Sequence, residues 1–451
     1  RNFMELGVWG IIKEYPSLIG LIPMVLYIIL AFKKGIDPVI PLLISIVIGW
    51  LLTGNGATVF GQEVGTSLSS VLGQVGFLSM EGAGLGIVLK EAGVSATLCK
   101  LIANKLGVKT QKQALITLMV CQFILATCVG SGVSAAAIVM PVLLPMLALT
   151  GVTPVAATVA FILSGLAGML LAPFAAPNIM AMSLTGLSYP QYLLWGAGPY
   201  LIVMLITAVI LSFWIDKKAK KDPNGEKYEL SDAEKDMTAK PTQKEKITTI
   251  AFIVTFALCI AYAIAFRQGM AFVIFVLPFL AVVVAVFSRM GVNKACDAFY
   301  TGCKNTISVF IICVLYQLLV DVVNVAGGFE ALSNLFVGLV GSSPSKSTVM
   351  LMGTFVGAFG VNGGAAAQMQ IIHELFLPMI QQNGLGMGLW SIVLVAGSYV
   401  TSIIYPNATV LAPMGIARSK DFKNMMICMW ISSAIIMAFC VLYCFIMPMI
   451  F

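Results

Sequence analysis

The chain has 451 residues, of which 59 % are hydrophobic and 10 % are charged, and its mean hydropathy is +0.99. This composition excludes a soluble globular domain. The formal net charge of +7 does not indicate a nucleic-acid partner, because the basic residues lie in loops, where they act as topology signals. Since one span needs about 20 apolar residues, we predict an all-α polytopic membrane protein.

Two kinds of interruption break the apolar runs of the first half, a Gly-rich stretch "CVGSGVSAAA" and a Pro-Asn stretch "APFAAPN". Hydropathy and these breakers define the predicted elements. They are helices at 17–34, 36–53 and 66–90, a surface helix at 93–106, a re-entrant hairpin over 110–148, a broken helix over 154–187 and a helix at 190–214.

A charged linker follows at 215–246, where 216–246 alone holds 17 charged residues out of 26 basic and 19 acidic ones in the chain. Its lysines directly follow an apolar span, so we predict that it is cytoplasmic. The second half then repeats the order of the first. Its predicted elements are helices at 247–266, 270–288 and 302–325, a surface helix at 328–340, a hairpin over 346–382, a broken helix over 387–418 and a final helix at 422–449.

The two halves, 1–214 and 247–451, are predicted to be an internal duplication. Three pairs of segments match at offsets of 234, 230 and 229 residues: 93–107 with 327–341, "GSGVSAAA" with "GVNGGAAA", and Pro177-Asn178 with Pro406-Asn407. If each hairpin enters and leaves on one side, each repeat has five crossings, and an odd number inverts the second repeat. This topology places most basic loop residues in the cytoplasm and both termini outside.

Non-helical backbone cannot face lipid, so the four interruptions are expected to meet around a polar cavity. Helices that restart after a break expose N–H groups, and helices that end at one expose carbonyls; these ends suit an anion and a cation respectively. We predict two pseudo-symmetric sodium sites built from neutral oxygens, one per repeat. The predicted substrate-binding residues are Ser131, Gly132, Ser134, Asn178, Asn362, Gly363, Gly364, Asn407 and Thr409; the predicted sodium ligands are Gly130, Ala176, Asn178, Asn362, Tyr405 and Asn407.

Few ionisable residues lie at membrane depth. Glu81, Asp321 and the pair His373 and Glu374 are costly in lipid, and the pair is a candidate for coupling or pH sensing. A satisfied structural role is the alternative for His373, the one histidine of the chain. The sequence has no zinc motif, no serine nucleophile with a base at recognisable spacing and no phosphate-binding loop, so it predicts neither an enzyme nor an organic cofactor.

This pattern resembles the ion transporter superfamily. That group includes divalent anion:sodium symporters, citrate and gluconate permeases, anaerobic four-carbon dicarboxylate carriers and some sodium/proton antiporters. The resemblance implies an elevator mechanism, in which a homodimeric scaffold holds a sliding transport domain made of the hairpins and broken helices. The tips here read "GSG" and "VNG" rather than the Ser-Asn-Thr of the divalent anion symporters.

We therefore expect a secondary transporter in a bacterial inner membrane that imports a small organic anion with sodium. Mono- and dicarboxylates and amino acids all stay open as substrates, and protons stay open as the coupling ion. The alternative is a sodium/proton antiporter without an organic substrate. A channel is disfavoured, because paired hairpins closing on a site at the middle of the membrane indicate occlusion.

Overall fold

The computed structural model describes residues 18–31, 39–54, 56–223, 225–228, 241–266, 268, 270–331, 344–359 and 365–450. A single 3-10 turn, Leu18–Leu21, precedes the helices of the first half. These are α1 (Ile22–Ala31), α2 (Val39–Thr53), α3 (Ala57–Ser69), α4 (Val71–Glu91), α5 (Val94–Leu106), α6 (Gln111–Val129), α7 (Gly132–Thr150), α8 (Pro154–Leu171), α9 (Ala176–Thr185) and α10 (Tyr189–Ala219), which contains a π-helical turn at Leu193–Ala197.

The second half is built in the same order. Its helices are α11 (Gln243–Ala265), α12 (Met270–Phe287), α13 (Val292–Val325), α14 (Lys346–Ala358), α15 (Ala365–Gln382), α16 (Met387–Ile404), α17 (Ala408–Ile416) and α18 (Phe422–Ile450). The described parts of the chain contain no β-strand, and nine of their helices are long and apolar enough to cross a membrane. The prediction of an all-α polytopic membrane protein is confirmed.

Two predicted helices differ most from the structure in their extent. The region predicted as one helix at 66–90 contains the end of α3 and all but the last residue of α4, because the helical conformation is interrupted at Ser70. The backbone of Ser70 is extended, and its hydroxyl accepts a hydrogen bond from the Gly73 N–H at 3.0 Å. The helix predicted from 302 begins ten residues earlier, at Val292. Hydropathy marks only the part of α13 that lies in apolar surroundings and misses its polar first turns. The predicted surface helix at 328–340 falls largely outside the described residues.

Matching helices of the two halves make matching contacts. Helix α1 packs on α2 as α11 packs on α12, and α2 packs on α13 as α12 packs on α4. Likewise α6 and α10 pack on α8 as α14 and α18 pack on α16. These pairings are those expected of a duplicated unit, while the inverted orientation of the second copy stays a prediction.

The pair α4 and α13 forms the most extensive helix contact in the described parts of the chain. The two backbones touch at Gly302, where a Cβ atom would lie 2.3 Å from the carbonyl oxygen of Ala83 and 2.6 Å from the Cα of Gly84. Only glycine permits so close a crossing, which is a general way to pack membrane helices in the absence of a hydrophobic driving force.

Polar anchors hold the end of the bundle at which the linker starts. The buried carboxylate of Asp216 on α10 accepts hydrogen bonds from the N–H and hydroxyl of Thr153, both at 3.0 Å, and from Gln111 at the base of the first hairpin. Glu226 accepts a hydrogen bond from the Ser419 hydroxyl at 2.8 Å, and the Tyr228 hydroxyl donates to the Ala417 carbonyl at 3.1 Å. Burial raises the pKa of Tyr228 well above its ordinary value, so this donor keeps its proton.

We predict that Gly302→Val destabilises the protein by about 1–3 kcal/mol, because the new side chain overlaps the backbone of α4. The measurement is thermal unfolding of purified protein in detergent. Gly291→Val is the matched control, since a Cβ at Gly291, just before α13, would meet nothing within 4 Å. Equal melting temperatures for the two variants would contradict the assigned crossing point.

Candidate substrate cavity

A cavity of about 470 Å³ lies where the interruptions of the two halves meet. One wall comes from α4 and α13, including Ser79 and Thr306. The opposite wall comes from the first hairpin tip, both broken helices and the start of α15. Of the predicted site residues, six line the cavity: Gly130, Ser131, Gly132, Ser134, Ala176 and Thr409. Asn362, Gly363 and Gly364 lie outside the described residues.

The first hairpin tip is a tight turn between α6 and α7. Gly130 ends α6 with φ +69°, a left-handed conformation that favours glycine, and the Ser131 hydroxyl caps α7 by accepting from the Ser134 N–H at 3.3 Å. Gln122, which is fully buried in α6, donates to the carbonyls of Gly132 at 2.7 Å and Phe161 at 3.2 Å. This glutamine ties the start of α7, next to the tip, to α8.

The second hairpin is tied down by a glutamine in the same way. Gln368 on α15 donates to the Gly357 carbonyl on α14 and to the Thr401 hydroxyl on α16, the latter at 2.9 Å. The Thr401 hydroxyl in turn lies 2.7 Å from the Gly357 carbonyl. Each hairpin is thus held against the broken helix of its own half.

Asn178 closes the first break from inside. Its amide nitrogen donates to the carbonyls of Met169 (2.7 Å), Leu170 (3.1 Å) and Ala172 (2.7 Å), and its amide oxygen accepts from the buried hydroxyl of Tyr192 at 2.7 Å. The side chain is fully buried and does not line the cavity. In this arrangement Asn178 satisfies the carbonyls freed at the end of α8. Its predicted contact with substrate or sodium stays a prediction.

The second break is built differently. Asn407 precedes α17 and caps it, with its amide oxygen accepting from the Thr409 N–H at 2.8 Å and its amide nitrogen donating to the Ser402 carbonyl at 3.0 Å. Asn178, by contrast, lies inside α9, which begins at Ala176. The two Pro-Asn pairs match in sequence, but their local geometry differs. Neither Asn407 nor Tyr405 lines the cavity.

Four helices begin at the cavity. The first described residues of α7, α9, α15 and α17 all line it: Gly132, Ala176, Ala365 and Ala408. The first N–H groups of a helix have no acceptor within the helix, and each N-terminus carries the equivalent of about half a positive charge. No lysine or arginine lines the cavity within the described parts of the chain. The arrangement therefore favours an anion, bound by helix ends and hydroxyl groups.

The predicted coupling pair lies away from the cavity. His373 is buried between α15 and α16, where its Nδ1 accepts from the Trp390 indole N–H at 3.2 Å. Glu374 is half-buried and, like His373, does not line the cavity. The hydrogen bond to Trp390 is the satisfied structural role that the sequence left as the alternative for the histidine.

Several polar residues at the site were not singled out from the sequence: Ser79, Gln122, Tyr192, Thr306, Gln368 and Ser402. Two of them carried a usable signal, since a glutamine in an otherwise apolar helix is costly unless it is bonded. Gln122 and Gln368 both lie in the arms of predicted hairpins. The serines and the threonine carried none, because such groups bond their own helix in any apolar run, as Ser79 does with the Val75 carbonyl at 3.0 Å.

Comparison with known proteins agrees with this architecture. A family model described as "C4-dicarboxylate anaerobic carrier" (DcuC) matches residues 38–449. Among solved structures, the chain is similar to MtrF of Neisseria gonorrhoeae, described with a class of antimetabolite efflux pumps, at 17% identity and a TM-score of 0.59 over 93% of this chain and 97% of that one. It is also similar to the YdaH transporter of Alcanivorax borkumensis, at 15% identity and a TM-score of 0.58 over 95% and 97%. No curated protein sequence matches the chain.

We predict that Asn178→Ala destabilises the protein more than Asn407→Ala does. The first change removes the amide donor to three carbonyls and the acceptor of the buried Tyr192 hydroxyl and should cost about 3 kcal/mol, whereas the second removes a helix cap worth about 1 kcal/mol. Thermal unfolding of the two variants, matched in chemistry, gives the comparison. Equal losses would show that the first break does not depend on the Asn178 side chain.

Proposed function

Because the chain belongs to the DcuC family of anaerobic C4-dicarboxylate carriers, we propose that it transports four-carbon dicarboxylates through the cavity between α4, α13 and the two hairpins. The observation that carries the proposal is the convergence of four helix N-termini on a cavity that no lysine or arginine lines in the described parts of the chain. The cavity volume of about 470 Å³ is within the range of small-molecule sites.

The four helices that line the cavity with their first described residues contact each other in two pairs, which suits a substrate with two carboxylates. Helix α7 contacts α17, and α9 contacts α15, so each pair joins a hairpin arm from one half to a restarted helix from the other. Each N-terminus is equivalent to about half a positive charge, so one pair balances about one carboxylate. Ser131, Ser134 and Thr409 supply hydroxyl donors beside these ends.

Sodium coupling is part of the proposal, and we locate it at the second break. At the first break, the carbonyls of Met169, Leu170 and Ala172 are already engaged by Asn178. At the second, Ser402 and Thr409 bring neutral oxygens to the cavity wall beside the cap formed by Asn407. A sodium ion there would be held by oxygens only and would offset the charge of a bound carboxylate.

An elevator motion would divide the molecule along the cavity. We propose that α4 and α13 belong to a fixed scaffold and that the hairpins, the broken helices, α10 and α18 move together. The support is that the cavity lies between these two sets of helices and that glutamine side chains tie each hairpin to its broken helix. A homodimeric scaffold, a bacterial inner-membrane location and a cytoplasmic linker complete the proposal.

We predict that succinate and fumarate raise the melting temperature of the purified protein in sodium buffer and not in choline buffer. Binding to the folded state stabilises it by mass action, by about 2.7 kcal/mol at a hundredfold excess over Kd. A monocarboxylate of similar size, such as butyrate, is the control. Stabilisation by butyrate but not by succinate or fumarate would contradict dicarboxylate transport. So would a protein that no organic anion stabilises but that exchanges protons for sodium in vesicles, and this second result favours the sodium/proton antiporter.

The role of the helix ends is tested at Val133, which lines the cavity in the first turn of α7. We predict that Val133→Asp raises the Kd for succinate by at least about tenfold, because a new negative charge opposes the helix end. Val133→Asn has nearly the same shape without the charge and should change Kd by much less. Isothermal titration calorimetry measures both; equal effects would rule out electrostatic recognition at this helix.

A further inference from the structure

Glu81 on α4 is a buried carboxyl group without a partner. Glu81 is 5% exposed, and its Oε2 makes no hydrogen bond. Within the described residues, no ion pair or hydrogen bond reaches either carboxyl oxygen. An ionised carboxylate in such surroundings costs several kcal/mol, so burial without a partner favours the protonated form of the carboxyl.

In the described parts of the chain, no positively charged side chain bonds to the Glu81 carboxyl. Helices α7, α9 and α12 all pack against α4 and contain no ionisable side chain. From α13, the Cys303 thiol donates to the carbonyl of Met80 at 3.4 Å, next to Glu81. The other helices against α4 carry ionisable groups, among them Glu63 on α3, Lys100 and Lys105 on α5, Cys128 on α6, Lys304 on α13, and His373 and Glu374 on α15. No hydrogen bond or ion pair joins any of them to the Glu81 carboxyl.

Glu81 also lies beside the contact between the two walls of the cavity. Its neighbour Gly82 lines the cavity, and Gly82 and Gly86 face Val129, the last residue of α6 before the hairpin tip. A Cβ on Gly86 would lie 2.9 Å from a methyl carbon of Val129. Any movement of the first hairpin relative to α4 therefore changes the packing within one residue of the buried carboxyl.

We propose that Glu81 is a proton-binding site of the transport cycle. The carboxyl is protonated while the hairpin packs on α4. When the hairpin moves away and water reaches α4, the O–H bond breaks, the proton passes to water and the carboxylate is solvated. One proton would then accompany the solute in each cycle. This inference rests on the proposed function and adds a coupling ion to it.

The test uses the full chain in proteoliposomes with radiolabelled succinate and the membrane potential clamped at zero. An inward proton gradient of about one pH unit should sustain about tenfold accumulation of succinate inside wild-type vesicles if one proton moves with each succinate. Glu81→Gln should lose this accumulation and keep counterflow exchange of succinate. Glu91→Gln should behave like the wild type, because Glu91 is an exposed residue at the end of the same helix and pairs with Lys294 at 3.5 Å.

The outcomes separate this inference from the proposed function. Accumulation by Glu81→Gln at the wild-type level, or wild-type counterflow without any response to the pH gradient, overturns the proton site and leaves dicarboxylate transport in place. Absence of succinate counterflow in the wild type overturns the proposed function.

A second measurement on the wild type needs neither a variant nor transport. Dicyclohexylcarbodiimide reacts with protonated carboxyl groups buried in membranes, and mass spectrometry locates the adduct. We expect labelling of Glu81 that falls as the pH rises from about 5 to about 9. Labelling of Glu81 that is absent or independent of pH overturns the proposal. Because the measurement uses the wild type, this holds even if Glu81→Gln fails to fold.

Discussion

The architecture depends on one constraint, that a peptide group which leaves a helix inside a membrane must find another partner. In hydrocarbon an unsatisfied N–H or C=O costs several kcal/mol, so irregular backbone is tolerated only against protein or water. The chain interrupts its helices at Gly130 and Ser131, between Leu171 and Ala176, and between Ile404 and Ala408. The first two interruptions contribute Gly130, Ser131 and Phe174 to one cavity, and the helices that flank the third contribute Ser402 and Ala408 to it. At the cavity, the irregular backbone of the broken helices is shielded from lipid.

The two kinds of freed groups are treated differently. Carbonyls at two helix ends receive side-chain donors: Asn178 donates to the Leu170 carbonyl near the end of α8, and Trp430 donates to the Ile404 carbonyl at 3.1 Å at the second break. The first described residues of α7, α9, α15 and α17 line the cavity, where the side chains of Ser131 and Asn407 cap one N–H group each in α7 and α17. This division leaves the cavity with a positive character that arises from backbone and not from cationic side chains.

Such a site has a consequence for transport. A lysine or arginine in the cavity would hold a dianion through a strong charge-assisted bond. After the substrate left, the empty cavity would contain a buried cation without a partner. Helix ends and hydroxyl groups can attract an anion without this penalty, because their partial charges are fixed and modest. A proposed coupling cation and the proton of Glu81 would supply the remaining charge balance when the substrate is present. Release and return of the empty carrier then require no unpaired buried charge.

The sequence by itself determined the membrane class, the position of most helices and the breaks at Gly130, at 172–175 and at 405–407, because hydropathy and the Pro, Gly and Asn breakers act over a few neighbouring residues. The tertiary structure decided what each side chain does. Asn178 and Asn407 hold matching sequence positions, yet one binds three carbonyls inside α9 and the other caps α17, because their partners come from different packing environments. The same holds for Glu81 and His373: both are ionisable residues at membrane depth, but only packing gave the histidine a partner in Trp390 and left the glutamate without one. Local patterns fix where a chain must turn, whereas bonding between residues far apart in sequence depends on helix contacts that no local pattern encodes.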